Sequence, residues 1–131
     1  MKAIKPIYLF AIVILLLTAC DSKPAHQDVN SLPDVAVKGT VTLVDVGSVH
    51  CKPCQMMMPV LDVLKEKYAG KAVVKFLNSD MHRDEALKLK VMTIPTQIIF
   101  DSKGREVLRH IGFFPQVELE KAMDKVLGED K

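Results

Sequence analysis

The stretch Val41-Thr42-Leu43-Val44-Asp45-Val46-Gly47-Ser48-Val49-His50-Cys51-Lys52-Pro53-Cys54 decides the fold of this 131-residue chain. Its first six residues are mostly apolar, which predicts a buried strand over Val41–Val46. Two cysteines three residues apart, Cys51 and Cys54, can close a disulfide within one turn. They precede a helix-like stretch, where the positive end of the helix dipole favours a thiolate at the first sulfur. A Cys-x-x-Cys pair that follows a strand therefore predicts redox chemistry.

Apolar spacing predicts the elements that follow this stretch. A helical pattern runs from Pro53 to Tyr68, ends near Gly70 and contains Pro59, which should kink the helix. Further strands are predicted over 72–77, 96–100 and 105–111, and further helices over 84–89 and 115–127. The apolar side chains predicted on or near one face of the last helix are Val117, Leu119, Met123 and Leu127. Strands separated by helices, then a hairpin and a helix, predict an α/β fold around a mixed sheet.

The first 19 residues predict a signal peptide. A short basic start with Lys2 and Lys5 precedes an almost wholly apolar run, Ile7–Leu17. An apolar core of about eleven residues is too short to span a bilayer as a helix, but it suits a secretory signal.

The end of that run, Leu17-Thr18-Ala19-Cys20, resembles the lipobox of bacterial lipoproteins, in which a cysteine after a small residue is lipidated. The resemblance implies that the chain is exported and that acyl chains on Cys20 hold it to a membrane. Asp21 resembles the residue that retains such lipoproteins in the inner membrane of enteric bacteria, which implies a position facing the periplasm. Residues 20–30 would then be the lipidated cysteine and a flexible tether, and 31–131 the folded domain. A plain secretory signal with a chance cysteine is the alternative.

Counts of cysteine and charge narrow the function. Of the three cysteines, Cys20 is assigned to lipid, so Cys51 and Cys54 remain as an isolated pair. Without Lys2 and Lys5, 16 basic residues balance 16 acidic ones. No basic patch therefore predicts a nucleic-acid partner.

Four features at fixed spacing resemble the thioredoxin superfamily over roughly residues 41–127. Cys51-Lys52-Pro53-Cys54 matches the redox motif, and Asp45 falls where thioredoxins bury a carboxylate beneath the disulfide. Pro59 matches the proline inside the active-site helix, and Thr93-Ile94-Pro95-Thr96 resembles the loop whose cis-proline lies against the disulfide. The resemblance implies the thioredoxin fold, a central mixed β-sheet flanked by helices on both faces. It also implies that the redox-active disulfide works without a metal or other cofactor.

The resemblance implies a role for each of three catalytic residues. Cys51 would be the exposed nucleophile that attacks a substrate disulfide and forms a mixed disulfide. Cys54, one turn into the helix, would resolve that intermediate. Asp45 is the candidate general base that takes the proton of Cys54, through a water molecule.

Substrate binding is implied at the proline loop. An X-Pro bond can be held cis at modest cost, and it would turn the backbone of Ile94 outward beside Pro95. In the superfamily, those exposed backbone groups pair with an extended substrate strand. Gly112 matches a glycine near the same groove.

The chain departs from the superfamily at four positions around the motif. The sequence has no tryptophan, and Gly47 and His50 stand where thioredoxins commonly carry aromatic residues. Lys52 replaces the usual glycine; its positive charge should favour the Cys51 thiolate and make the disulfide more oxidising, and a charged His50 would act in the same direction. Phe76 falls where many thioredoxins place a lysine close to the buried carboxylate. The sequence therefore does not indicate which group sets the pKa of Asp45.

The function predicted from the sequence is a membrane-tethered, extracytoplasmic thiol:disulfide oxidoreductase. Pro53, at the third motif position, resembles reducing members, so reduction of protein disulfides is favoured. The resemblance implies an integral membrane thiol carrier as the electron donor, and apocytochrome c or other envelope proteins as clients. A disulfide-forming oxidant or isomerase, favoured by His50 and Lys52, is one alternative. A copper-binding or redox-sensing module is another, because Met56-Met57-Met58 lies beside the cysteines.

Overall fold

The computed structural model describes residues 35–130, which contain four strands and three helices. In chain order these are β1 (Val41–Gly47), α1 (Lys52–Lys67), β2 (Ala72–Asn78), α2 (Arg83–Lys88), β3 (Thr96–Phe100), β4 (Glu106–Ile111) and α3 (Gln116–Glu129). Each predicted strand and helix is present, with boundaries that differ by at most two residues. Residues 35–40 form turns and bends.

The predictions for the N-terminal segment lie outside the described residues. They comprise the signal peptide over 1–19, lipidation of Cys20 and the tether over 20–30. Between residues 35 and 130, no helix has the length and apolar character needed to cross a membrane.

The strands form one mixed sheet in the order β2-β1-β3-β4. β1 pairs with β2 in parallel, with Asp45 opposite Phe76, and it pairs with β3 in antiparallel, with Asp45 opposite Gln97. β4 extends the sheet in antiparallel and places His110 opposite Gln97. The predicted mixed sheet is confirmed, and four side chains on neighbouring strands form one row across it: Phe76, Asp45, Gln97 and His110.

Helices cover both faces of the sheet, as the resemblance implies. One face packs against α1 and α3, in a core formed by side chains such as Leu43, Met57, Leu61, Ile99, Leu119 and Met123. The other face packs against α2 and the residues around it, in a core that includes Val44, Val46, Ala86, Val91, Ile98 and Phe100. Successive residues of β1 thus point into different cores, which explains its wholly buried pattern.

The face predicted for α3 needs one correction. Leu119 and Met123 are fully buried and Leu127 packs against the same core, but 62% of Val117 is exposed. Val117 lies in the first turn of α3, two residues before Leu119, and residues two apart on a helix do not share a face.

The sheet brings the predicted site residues to one end. Gly47 and Asn78 are paired at the ends of β1 and β2, so the loops after both strands leave the sheet together. Thr96, the first residue of β3, pairs with Val46 and Ile111, so the Pro95 and Gly112 loops lie at the same end.

Candidate active site at the Cys51–Cys54 disulfide

Cys51 and Cys54 form a disulfide at the start of α1, with their Cα atoms 5.2 Å apart. Cys51 is the N-cap of the helix, and its Sγ accepts a hydrogen bond from the backbone N–H of Cys54 at 3.4 Å. Such a contact and the helix dipole both favour negative charge on this sulfur when the disulfide is open. Cys51 is half-buried and Cys54 is only 1% exposed, so the first sulfur is the one that an outside disulfide can reach.

The loop that carries Cys51 is tied to the loop after β2. Ser48 donates its hydroxyl to Oδ2 of Asp80 at 2.5 Å and accepts the backbone N–H of His50 at 3.0 Å. Ser79 donates both its backbone N–H and its hydroxyl to the carbonyl of Gly47, at 2.8 and 3.0 Å. These hydrogen bonds join the loop before Cys51 to the loop after β2. The position of Cys51 therefore depends on both loops as well as on α1.

Asp45 is fully buried in the middle of β1. Burial, which disfavours the charged form, raises its pKa from 3.8 to about 6, although the hydrogen bond from Gln97 opposes the shift. A carboxyl group with this pKa can accept and return a proton near neutral pH. This is the property that the predicted general base requires.

Cys54 packs against the same strand as Asp45. A Cβ atom placed on Gly47 would lie 3.1 Å from Cβ of Cys54 and 3.3 Å from its Sγ. Asp45 is two residues earlier on the same face of β1, so its Cα is about 7 Å from that of Gly47. The carboxyl group of Asp45 and Sγ of Cys54 therefore lie on the same side of the sheet.

Gln97 is a buried partner of Asp45 that the sequence prediction missed. It is fully buried, and its Nε2 donates to Oδ1 of Asp45 at 2.6 Å. A single amide among the apolar residues of β3 was the available signal, because a buried amide needs a polar partner. The identity of that partner depends on strand register, which the spacing of the residues did not provide.

Phe76 occupies the position where many thioredoxins place a lysine close to the buried carboxylate. It pairs with Asp45 across β1 and β2 and packs in the apolar core on the same face. The neighbouring Lys75 points to the other face, where its Nζ donates to the carbonyl of Val35 at 3.0 Å. An apolar ring therefore stands where a lysine would have offered Asp45 a positive charge.

The predicted substrate loop lies at the same end of the sheet as the disulfide. The Ile94–Pro95 peptide bond is cis, and the carbonyl of Pro95 accepts the backbone N–H of Gly112 at 2.8 Å. The loops at this end of the sheet also expose large apolar side chains: Val49, Met81, Met92 and Phe113. Exposed apolar residues gathered around a reactive group are typical of a docking surface.

The three predicted tuning residues are on the surface. His50, Lys52 and Pro53 are all exposed, and Lys52 and Pro53 form the first turn of α1.

Of the three consecutive methionines, Met57 is fully buried and 52% of Met56 is exposed, so they do not converge. Among residues 35–130, no three His, Cys, Asp or Glu side chains group as a metal site would require.

Comparisons with known proteins match most of the chain. The family model described as Thioredoxin matches residues 19–125. The chain is 40% identical over 94 residues to the thioredoxin of Staphylococcus aureus strain Mu50, a match that covers 72% of this chain and 89% of the relative. The thioredoxins of Staphylococcus aureus strains MW2 and N315 match with the same identity and coverage.

Proposed function

The chain belongs to the thioredoxin family, and from this premise we propose that it reduces protein disulfides outside the cytoplasm while a lipid on Cys20 holds it to the membrane. The family and the Cys51–Cys54 disulfide make it a thiol:disulfide oxidoreductase. The direction of the reaction, its location and its partners are the parts proposed.

The unequal burial of the two sulfurs is the observation that carries the mechanism. In the reduced protein, the accessible Cys51 thiolate attacks a disulfide of the client, forms a mixed disulfide and releases one client thiolate. The buried Cys54 then loses its proton to Asp45, and its sulfur attacks that of Cys51. The Cys51–client bond breaks, the second client thiolate leaves, and the Cys51–Cys54 disulfide forms. The client gains the two electrons that the cysteine pair loses.

Two observations support reduction as the direction. Pro53 occupies the third motif position, as in the reducing proteins that the sequence resembles. The Lys52 side chain is exposed, so water and salt screen its charge and weaken its pull toward an oxidising disulfide. The exposed Lys52 is therefore weaker support for an oxidant than its position in the motif suggests.

The proposed binding surface consists of Ile94, Pro95 and Gly112. A client segment in extended conformation would pair with backbone groups of this loop, while apolar side chains such as Met92 and Phe113 contact the client. Main-chain pairing imposes little sequence choice, which suits clients of many sequences. Envelope proteins such as apocytochrome c are the proposed clients, with a membrane thiol carrier as the electron donor.

A pair of enzyme assays tests the direction. The reduced protein should accelerate insulin reduction more than its oxidised form accelerates the refolding of reduced ribonuclease, and Cys51→Ser should abolish both effects. The Cys51/Cys54 reduction potential should lie well below roughly −120 mV, the value of a strong oxidant. A potential at or above that value would contradict a reducing role.

Cell fractionation tests the location. The full chain expressed in a bacterium should sediment with the membrane and carry acyl label, and Cys20→Ser should release it from the membrane. Cys54→Ser is the matched control, because it also removes one thiol but should stay in the membrane fraction. A Cys20→Ser protein that remains acylated and membrane-bound would disprove the anchor.

A further inference from the structure

The buried pair Asp45 and Gln97 is held by one hydrogen bond and leaves one oxygen of each residue free. Nε2 of Gln97 donates to Oδ1 of Asp45, while Oδ2 of Asp45 and Oε1 of Gln97 are buried without a hydrogen-bond partner in the described structure. A buried polar atom without a hydrogen-bond partner lowers the free energy of unfolding, so such an atom in a folded protein needs a structural or functional explanation. The two carboxylate oxygens of Asp45 are consequently unequal, and Oδ2 is the one available to a proton.

The groups that face Asp45 come from each neighbouring element. Phe76 on β2 is apolar, and Cys54 on α1 lies against Gly47, further along the same face of β1. On β4, His110 lies opposite Gln97; its Nε2 is 3.2 Å from the carbonyl oxygen of Phe113. His110 is also half-buried and stacks on the ring of Phe114, with ring centroids 4.0 Å apart. The amide of Gln97 therefore stands between the carboxyl group and the titratable ring on β4.

We propose that Gln97 is a positioning residue that holds Asp45 through Oδ1, so that Oδ2 is the oxygen that receives the proton of Cys54. The proposal rests on the proposed role of Asp45 in resolving the mixed disulfide. In that step the proton leaves Sγ of Cys54 through a bridging water and ends on Oδ2. The electron pair left on the Cys54 sulfur forms the bond to Cys51, and the client leaves as a thiolate.

The hydrogen bond from Gln97 also favours the charged form of Asp45, because a carboxylate accepts an N–H better than a neutral carboxyl does. It therefore opposes the effect of burial. Without the amide, Asp45 should be protonated at a higher pH, so a smaller fraction of it would be ionised and able to accept a proton near neutrality. Both the orientation of the carboxyl group and its charge state would then depend on one side chain of β3.

Two pH titrations on the same variants test the proposal. The first follows the carboxyl carbon of Asp45 by NMR in the oxidised protein. The second follows the release of thionitrobenzoate from a mixed disulfide with Cys51 by stopped flow, which reports on the attack of Cys54. Gln97→Leu should move both midpoints upward by about one pH unit, the scale expected for a lost hydrogen bond to a charged group. Gln97→Met, nearly equal in length to glutamine, should do the same and serves if the leucine variant folds poorly.

Two control variants separate this effect from general ones. Gln116→Leu removes a half-buried amide on α3 that donates to Glu120, and it should leave both midpoints unchanged. His110→Gln removes the titratable ring opposite Gln97 and should leave the Asp45 midpoint in place. A midpoint that follows His110 rather than Gln97 would overturn the assignment.

The two titrations also separate this proposal from the proposed function. Unchanged midpoints in Gln97→Leu and Gln97→Met, in a parent protein that still reduces insulin, would reject the role of Gln97 alone. A shift of the NMR midpoint without a shift of the release midpoint would reject the proton transfer from Cys54 to Asp45, and with it both the role of Gln97 and that step of the proposed mechanism, while leaving the disulfide reductase activity itself untouched. A parent protein that reduces no disulfide at all would instead contradict the proposed function.

Discussion

The ring of Phe76 lies directly against the backbone of Gly47. A Cβ atom at residue 47 would be 2.9 Å from Cε2 of Phe76, closer than real Cβ contacts allow. The same atom would crowd Cβ of Cys54 at 3.1 Å. The missing side chain thus gives room both to the apolar ring beside Asp45 and to the resolving cysteine.

Gly47→Ala should therefore destabilise the oxidised protein by about 1–3 kcal/mol, as overpacking of a core commonly does. Phe76→Leu should recover part of this loss in the double variant, because it removes the ring that causes the shortest contact, while the contact with Cys54 remains. Urea denaturation of the two single variants and the double variant measures the coupling. Gly128→Ala in α3 is the control, since nothing lies within 4 Å of its Cβ position. Equal stability of the Gly47 and Gly128 variants would show that the crowding has no energetic effect.

The sequence predicted the helices and strands, because these follow from local patterns. The apolar spacing over 53–68 predicted α1, whose buried side includes Met57, Leu61 and Leu64. The thioredoxin resemblance located Cys51 and Pro95 on loops that do meet at one end of the sheet. These features depend on neighbours in sequence or on a motif of fixed spacing.

The contacts around Asp45 could not be predicted in the same way, since they depend on register and side-chain size. Gln97 is 52 positions away in sequence and meets Asp45 only because β1 and β3 pair in one particular register, which a shift of one residue would change completely. The fit between Gly47 and Phe76 likewise requires knowledge of both strands and of α1 at once. Such pairings join residues that are distant in sequence. The sequence shows each partner only as a single unusual residue and does not show which residue it contacts.

Cys54→Ser should trap mixed disulfides on Cys51 in cells. The variant retains the accessible nucleophile but lacks the sulfur that releases the client. Covalent complexes sensitive to reductant should appear on non-reducing gels and should identify clients by mass spectrometry. Cys51→Ser is the matched control and should trap few complexes, because Cys54 is buried. Equal trapping by both variants would contradict the assigned order of attack.

Ser48→Ala should loosen the loop before Cys51. The substitution removes the hydrogen bonds to Asp80 and from the backbone of His50, and the loss should cost about 1–2 kcal/mol of unfolding free energy. Hydrogen exchange at the His50 amide should become faster than in the parent. Ser102→Ala, which loses a comparable bond to Asp130 at a different turn, should leave His50 exchange unchanged. If the His50 amide exchanges equally slowly in both variants, the hydroxyl of Ser48 does not stabilise this loop.

Asp45→Asn should stabilise the oxidised protein at neutral and higher pH. In the folded protein the pKa of Asp45 is raised from 3.8 to about 6, so between these values the folded chain keeps a proton that the unfolded chain has released. The parent therefore loses stability as pH rises through this window, and the loss persists at higher pH. An asparagine cannot ionise, and its amide oxygen can still accept the hydrogen bond from Gln97. The variant should gain about 3 kcal/mol at pH 8, from 1.36 kcal/mol per pKa unit.

The gain should vanish at low pH, because Asp45 is then protonated in both folded and unfolded chains. Urea denaturation at about pH 3 and about pH 8 measures the difference, with Asp62→Asn as the control for an exposed aspartate on α1. A gain of the same size at both pH values would trace the effect to packing rather than to ionisation. The same variant should slow the resolution of the mixed disulfide, so that one buried carboxyl group lowers stability at the pH where it is needed as a base.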